Sequence, residues 1–349
     1  MASSITGVLT NIPYYIMAML AFSLLIIIHE LGHFALCKLN GVKVSEFSLG
    51  MGPKLFGIKG KETEYLIKAF PIGGYVKMEG EEGGSDDPRA FSNKTPLQKL
   101  SIVSAGAIMN LVLAVVLFAI VGGAKGYILP IIGEVSANGP AQKAGMQAGD
   151  EITKVNKVNI DRWDELINVI YASKGESMNI EVLRNSKVQK ITLKPVKNEK
   201  EKTFMIGVRV SGVEKKLNLG ESVVYGFDQT IDTAKQTFGF FGTLFKGKAS
   251  ADDVGGPISI IKISTKAAQS GVTTLLYFTA LMSVQLGIFN VIPFPALDGG
   301  WIFMLLFEII TGKKLDDNKV GVINYIGFMI LMAFMVVIII KDIVSPLKF

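Results

Sequence analysis

Four long apolar stretches punctuate a chain that is otherwise mixed or polar: about Tyr14 to Leu36, Leu100 to Val121, Thr273 to Val291 and Val322 to Ile340. The first makes about 34 Å of helix, enough to cross the hydrocarbon core of a bilayer. A buried core helix is the alternative for any one of them, but the unbroken run from Ile330 to Ile340 leaves that reading little room in the fourth. Between the first two stretches, alternating patches at Val42 to Phe47, Tyr65 to Ala69 and Tyr75 to Met78 predict strands. The turn clusters Gly50-Met51-Gly52-Pro53 and Gly73-Gly74 separate them into hairpins. The acidic, Gly-rich segment from Glu79 to Pro88 reads as a loop.

The stretch between the second and third apolar segments has a different rhythm. Strands are expected at Ile131 to Val135, Glu151 to Val155, Met178 to Leu183 and Val188 to Leu193, with helices after Gly139-Pro140 and over Trp163 to Ala172. From Leu217 to Lys246 apolar residues such as Val223, Phe227, Ile231, Ala234, Phe238 and Phe241 recur at helical spacing. They predict an amphipathic connector lying on the membrane or against the spans. The whole predicts a polytopic α-helical membrane protein with four transmembrane helices, a membrane-associated β-hairpin region and an inserted α+β domain. Its parts are a first span in 1–37, hairpins in 38–99 and a second span in 100–122. The insert in 127–197, the connector in 215–265, a third span with a following motif in 272–310 and a fourth span in 321–341 complete it.

Composition sharpens this picture in three ways. Hydrophobic residues are 49% of the 349 and the mean hydropathy is +0.41, yet 19% are charged and these gather between the spans, so water-soluble segments are expected as well. The net charge of +6 comes with no basic stripe interleaved with aromatics, which points to lipid headgroups and away from nucleic acid. The single cysteine, Cys37, rules out an internal disulfide and a Cys-rich zinc site and reads as a structural thiol. Lys38, Lys43, Lys54, Lys59 and their neighbours after the first span, and Lys313, Lys314 and Lys319 after the third, put those loops in the cytoplasm. Both termini and the inserted domain then lie outside. Met1 to Ile12 carries no Lys or Arg, so the first span is expected to stay as an anchor.

The chemistry stands out against this apolar background. The only two histidines fall in one pentapeptide, His29-Glu30-Leu31-Gly32-His33, inside the first span. Ionisable groups are costly in lipid, so a cluster of them there marks a functional site. Residues four apart share a helix face, which lets His29 and His33 reach one metal, with Glu30 beside them to take a proton from water. A catalytic zinc needs three protein ligands, and without a third histidine the last must be a carboxylate. Asp298 is the candidate, because Pro293 and Pro295 break the helix just before it, and unwound backbone at membrane depth is tolerated only where it lines protein or a water-filled cavity. A plain surface loop with Asp298 as a helix N-cap is the bland alternative.

The pairing of His-Glu-Leu-Gly-His in an early span with Asn290-x-x-Pro293-x-x-x-Leu297-Asp298-Gly299-Gly300 in a late one resembles the site-2 protease family. More narrowly, it is similar to the bacterial RseP/RasP-type members with a single PDZ module. The likeness extends to Gly73-Gly74-Tyr75-Val76-Lys77-Met78, to Gly106-x-x-x-Asn110 in the second span and to Gly255-Gly256-Pro257-Ile258. It implies Zn2+ held by His29, His33 and Asp298, with Glu30 as general base. Asn290, Pro293, Gly73, Gly74, Tyr75 and Asn110 would contact the substrate. It implies transmembrane protein substrates, an upstream site-1 protease on the same substrate, and a bacterial plasma-membrane setting with the active site open to the cytoplasm. The PDZ-like insert would bind a fresh C-terminus or act as a size filter, and the sequence leaves both open. Two departures are visible: Ala107 stands where many relatives carry Pro, and some relatives have two PDZ modules.

Two other readings compete. A membrane zinc peptidase acting on soluble or lipidated peptide tails would need a roomy chamber but not the hairpin around Pro71 to Met78 as an edge that receives an unwound substrate by strand addition. A PDZ-bearing scaffold with a structural zinc would need four protein ligands, where the sequence offers three.

Overall fold

The computed structural model describes residues 2–81, 85–198, 203–247, 255–313 and 315–345. Residues 82–84 of the acidic loop and Lys314 lie outside the described residues. Described helices are α1 (Ala2–Leu39), α2 (Pro96–Lys125), α3 (Pro140–Lys143), α4 (Trp163–Ala172), α5 (Leu219–Phe245), α6 (Pro257–Gln269), α7 (Val272–Val291), α8 (Asp298–Thr311) and α9 (Asp317–Val344). The chain divides into two units, Met1–Val121 with Val223–Phe349, and Gly122–Ser222.

In the larger unit four helical stretches are long and apolar enough to cross a membrane: Asn11–Leu39, Pro96–Lys125, Val272–Val291 and Lys319–Val344. They overlap the four stretches expected from hydropathy. α1, α2 and α7 pack around Leu25, Ala114, Phe118, Ala280 and Val284, all buried. α9 stays largely uncovered and is tied to α6 by one buried side chain, Asp342. Its oxygens accept hydrogen bonds from the backbone N–H groups of Gly256 (3.1 Å) and Ser259 (3.0 Å) and from Ser259 Oγ (2.9 Å). These are the free donors at the N-terminus of α6, so an acid on one helix caps another.

α5 shows three faces. Thr230, Thr233 and Thr237 are buried, and Gln285 Nε2 of α7 donates to Thr237 Oγ1 at 3.0 Å. Val223, Val224, Phe227, Ile231 and Phe238 are exposed. Asp228 and Lys235 form the third face, also exposed. A soluble helix would turn its apolar face inward. Here the small and hydroxyl-bearing residues face the spans, which is how helices associate in lipid, by close packing and interhelical hydrogen bonds.

Between α1 and α2 lie β1 (Val44–Lys59) and β2 (Glu64–Met78), paired antiparallel and broken by several register shifts. Each strand folds back on itself. Residues 46–49 are flanked on one side by residues 74–77 and on the other by 64–67, while 54–59 pairs with the outer edge of 64–68. Residues 74–78 therefore form an edge strand, with no further strand beside them among the described residues. At the base of this region Arg89 Nη1 (2.6 Å) and Lys38 Nζ (2.5 Å) hold Glu62, and these contacts draw its carboxyl pKa down to about 2.

The smaller unit is an α+β fold. A four-stranded antiparallel sheet has Glu151–Val155 between Val158–Asn159 and Met178–Arg184, with Lys187–Leu193 outermost. Ile152, Leu166, Met178, Ile180 and Val182 fill its core, and α4 covers it through Leu166 and Ile170. Asp150 is fully buried and paired with Arg184 through two bonds, 2.6 and 2.7 Å, while the Gln147 N–H donates at 2.9 Å. The sequence reading closes this unit at 197, whereas the structure carries it to Ser222. Val208–Val210 returns to pair with Ile132–Val135, and Glu214–Lys215 pairs with Tyr127–Ile128.

Candidate metal centre

His29 and His33 lie one helical turn apart on α1, and α1 carries no other charged group between Asn11 and Lys38 except Glu30. α7 ends at Val291, and a turn through Ile292 to Leu297 reverses the chain before α8 starts at Asp298. Ala296 in this turn has φ 72°, a left-handed conformation uncommon for a residue with a side chain, and its N–H is held by Asn324 Oδ1 at 3.3 Å. The glycines after Asp298 are required by a close approach. A Cβ at Gly299 would lie 2.6 Å from the Val291 carbonyl carbon and closer still to the Ile292 carbonyl, so only glycine lets the first turn of α8 nest in the preceding turn.

This folding places three candidate ligand atoms around one point. His29 Nε2 is 3.2 Å from His33 Nε2 and 3.2 Å from Asp298 Oδ2, and His33 Nε2 is 3.4 Å from the same oxygen. Asp298 Oδ2 is buried and has no hydrogen-bond partner among the described residues. Tetrahedral ligands on zinc bonds of about 2.0–2.1 Å stand about 3.3–3.4 Å from one another. The triangle therefore fits a zinc ion in edge length and in donor type, two imidazoles and a carboxylate. Among the described residues three side chains could hold one ion, which would leave a fourth position open, the pattern of a catalytic site; structural zinc sites are closed by four.

α2 crosses α1 directly behind the histidines. A Cβ at Gly106 would fall 2.6 Å from His29 Cε1, 2.8 Å from His29 Nδ1, and onto His33 Nε2. One turn before Gly106, the Ile102 carbonyl meets His33 Nδ1 at 2.9 Å; one turn after it, the Asn110 amide meets His29 Nδ1 at 3.1 Å.

In front of the triad a cavity of about 520 Å³ is lined by Glu30, the strand edge 74–78, Val103 and Trp301. The structure thus gathers His29, Glu30, His33, Gly74, Tyr75 and Asp298 at one cavity. Tyr75 is anchored there, its hydroxyl bonded to Glu46 and 2.7 Å from Lys68 Nζ. Asn110 is brought to His29 from behind, at α2. Gly73, Asn290 and Pro293 are not among the cavity-lining residues; Asn290 lies in the last turn of α7, where its Nδ2 donates to the Leu286 carbonyl at 3.0 Å. Sequence reasoning overlooked Trp301, although it stands three residues after Asp298 on one face of α8 and that spacing could have revealed it. It also overlooked the Ile102 carbonyl, for which no sequence signal exists.

The profile of peptidase family M50 matches residues 17–334. A Clostridium acetobutylicum protein with a provisional zinc-metalloprotease name is 51% identical over 96% of this chain and 98% of its own. The zinc metalloprotease RasP of Geobacillus kaustophilus is 30% identical over 92% of this chain and 96% of its own, and the regulator of sigma-W protease RasP of Bacillus subtilis is 28% identical over the same shares. Among solved structures, a PDZ domain of an SdrC-like protein from Listeria monocytogenes aligns with 24% of this chain and 88% of its own length. That match has 24% identity and a TM-score of 0.22.

Proposed function

Because this chain belongs to peptidase family M50 and is an intramembrane zinc metalloprotease, we propose that it hydrolyses peptide bonds inside single-span transmembrane substrates. Anti-sigma-type regulators or remnant signal peptides are the substrate class, cut as the second step after an upstream protease has trimmed them outside. His29, His33 and Asp298 hold the metal. Zinc held there would supply a Lewis acid and bring the pKa of a water down to about 7. The Glu30 carboxylate accepts a proton from the attacking water and delivers it to the nitrogen of the leaving amine. The Lys-rich loops sit in the cytoplasm, so the cavity opens to that side, and the termini and the Gly122–Ser222 insert lie outside.

The observation that carries this reading is the edge strand 74–78 lining the same cavity as Glu30 and the metal ligands. A substrate helix must unwind before its scissile carbonyl can be attacked, and each freed backbone group costs several kcal/mol in lipid unless it finds a partner. An open strand edge supplies those partners by strand addition. A peptidase for soluble tails can use the same edge, but its substrate has no lipid-exposed backbone groups to offset. The insert would act as a groove for a trimmed C-terminus; a cavity of about 470 Å³ with Lys143 and Lys194 on its wall offers charge suited to a carboxylate.

Cleavage of a tagged single-span substrate by the full chain in detergent tests this, with wild type, chelator-treated wild type and Glu30→Gln side by side. A cut mapped within the span, seen only in untreated wild type while Glu30→Gln keeps its zinc, is expected. A cut outside the span, or an active Glu30→Gln, overturns it. Strengthening the substrate helix with Leu and Ala slows the reaction if unwinding is required.

A further inference from the structure

The two histidines are supported differently on their far sides. His33 Nδ1 faces the Ile102 carbonyl oxygen, which can only accept, so Nδ1 carries the proton and Nε2 keeps its lone pair. His29 Nδ1 lies 3.1 Å from the side-chain nitrogen of Asn110. That group can only donate, and a donor there would drive the proton of His29 to Nε2, the atom that points at His33 Nε2 and Asp298 Oδ2. Asn110 is wholly buried, and its Oδ1 is without a hydrogen-bond partner among the described residues. The oxygen and nitrogen of the amide exchange places by a half-turn of the group, with no change elsewhere in the side chain. Its backbone is pinned, since Ser283 Oγ of α7 donates to the Asn110 carbonyl at 2.7 Å.

We propose that Asn110 turns its side-chain oxygen to His29 and accepts the Nδ1–H bond. Asn110 is thus a positioning residue that fixes the metal-binding tautomer of His29. This rests on the ligand assignment proposed above. One face of α2 then serves both histidines at a four-residue repeat: the Ile102 carbonyl behind His33, the gap at Gly106 where the rings fit, and the Asn110 amide oxygen behind His29. Such outer partners of a metal-bound histidine raise its basicity and lock its ring, and their loss costs about 10–100-fold in metal affinity.

Zinc affinity of the full chain in detergent, by chelator competition, is the readout, with Asn110→Ala, Asn110→Asp and His29→Ala compared. Asn110→Ala is expected to bind zinc about 10–100-fold more weakly. Asn110→Asp, which can only accept when ionised, is expected to match or exceed wild type. Equal losses in both variants, or wild-type affinity in Asn110→Ala, overturn the proposal. If Asn110→Ala does not fold, Asn110→Asp decides alone: retained affinity upholds the acceptor role and a loss refutes it. Wild-type affinity in His29→Ala would overturn the ligand assignment itself, a failure distinct from that of Asn110.

Discussion

Gly106→Ala adds one methyl group at the point where α2 crosses the two histidines, and it is expected to weaken metal binding by more than it changes the stability of the fold. The new Cβ would lie 2.6 Å from His29 Cε1 and 2.8 Å from His29 Nδ1. Carbon atoms rest at about 3.5–4.0 Å, so the ring must retreat by about 1 Å. A metal–ligand bond tolerates about 0.2 Å, so His29, and His33 beside it, cannot keep their places. Losing an outer-shell partner costs up to about 100-fold in affinity, and displacing a ligand costs at least that much, about 2.8 kcal/mol at 1.4 kcal/mol per tenfold. Alanine favours a helix interior over glycine by about 1 kcal/mol, while crowding the two rings costs about 1–3 kcal/mol, so the metal-free protein loses at most about 2 kcal/mol, less than the metal-binding loss. The assay pairs chelator competition with thermal unfolding in excess chelator, on full-length protein in detergent. Ile108→Ala, two residues away on an exposed face of α2, is the control. Zinc affinity within about threefold of wild type in Gly106→Ala would refute the reasoning, because it would mean that α2 yields and the histidines do not.

Other substitutions test separate parts. Gly299→Ala drives a Cβ into the Ile292 turn and displaces Asp298, so zinc binding and cleavage should fall together; normal zinc content in this variant would count against the nesting argument. Ala296→Gly relieves a left-handed residue at about 1–2 kcal/mol and adds about 0.5–1 kcal/mol of unfolded-chain entropy. A gain of about 0.5 kcal/mol, seen as a modest rise in Tm with cleavage kept, is the expected outcome. In the insert, burial pushes the Asp150 carboxyl up, but the Arg184 bonds and the Gln147 N–H outweigh it and hold its pKa below the usual value. Its contribution is therefore fully present above the unfolded pKa of about 3.9 and is lost as pH falls through the lower native value. Asp150→Asn should cost the insert about 3–5 kcal/mol at pH 7. Hydrogen exchange should show that gap constant from about pH 8 to 5 and narrowing only below about 4; a gap that closes near neutral pH would assign it to another group.

The parts of this molecule that were legible in the sequence are those whose signal is local. Hydropathy over about 20 residues marks the spans, and a four-residue spacing brings His29 and His33 to one face. Asp298 was reached by elimination, since a chain with two histidines must complete a catalytic zinc site with a carboxylate. What escaped depends on partners distant in the chain. The insert reaches Ser222 because Val210 pairs with Ile132 across nearly eighty residues, and no local pattern encodes that register. In α5 the helical spacing is plain, but the sequence does not say which face turns inward; the structure buries Thr230, Thr233 and Thr237 and leaves the apolar face exposed. The motif around Asn110 implies a substrate contact but says nothing of its 3.1 Å approach to His29 Nδ1, which depends on how α2 packs on α1.

The distant support and the local motif answer one physical problem. Two imidazoles and two carboxylates inside an apolar bundle are costly unless each polar atom is directed to a partner. α1 alone could direct none of them: its neighbours at Ile26, Phe34 and Cys37 are apolar. α2 supplies the rear partners from one face, and Gly106 allows it close enough to reach. The Ile292–Leu297 turn brings Asp298, the proposed third ligand, to the site at a helix start, with Ala296 held in a left-handed conformation within the turn. With the far nitrogens engaged by α2, the two Nε2 atoms and Asp298 Oδ2 converge on one point, which faces the cavity with Glu30 and the strand edge. A site meant only to hold a metal would have no reason to keep that side open, and a closed fourth ligand would have been the less costly way to bury the charge. The open position is therefore the part of the architecture that stability does not account for, and it is where a peptide carbonyl and the water that attacks it have room to meet.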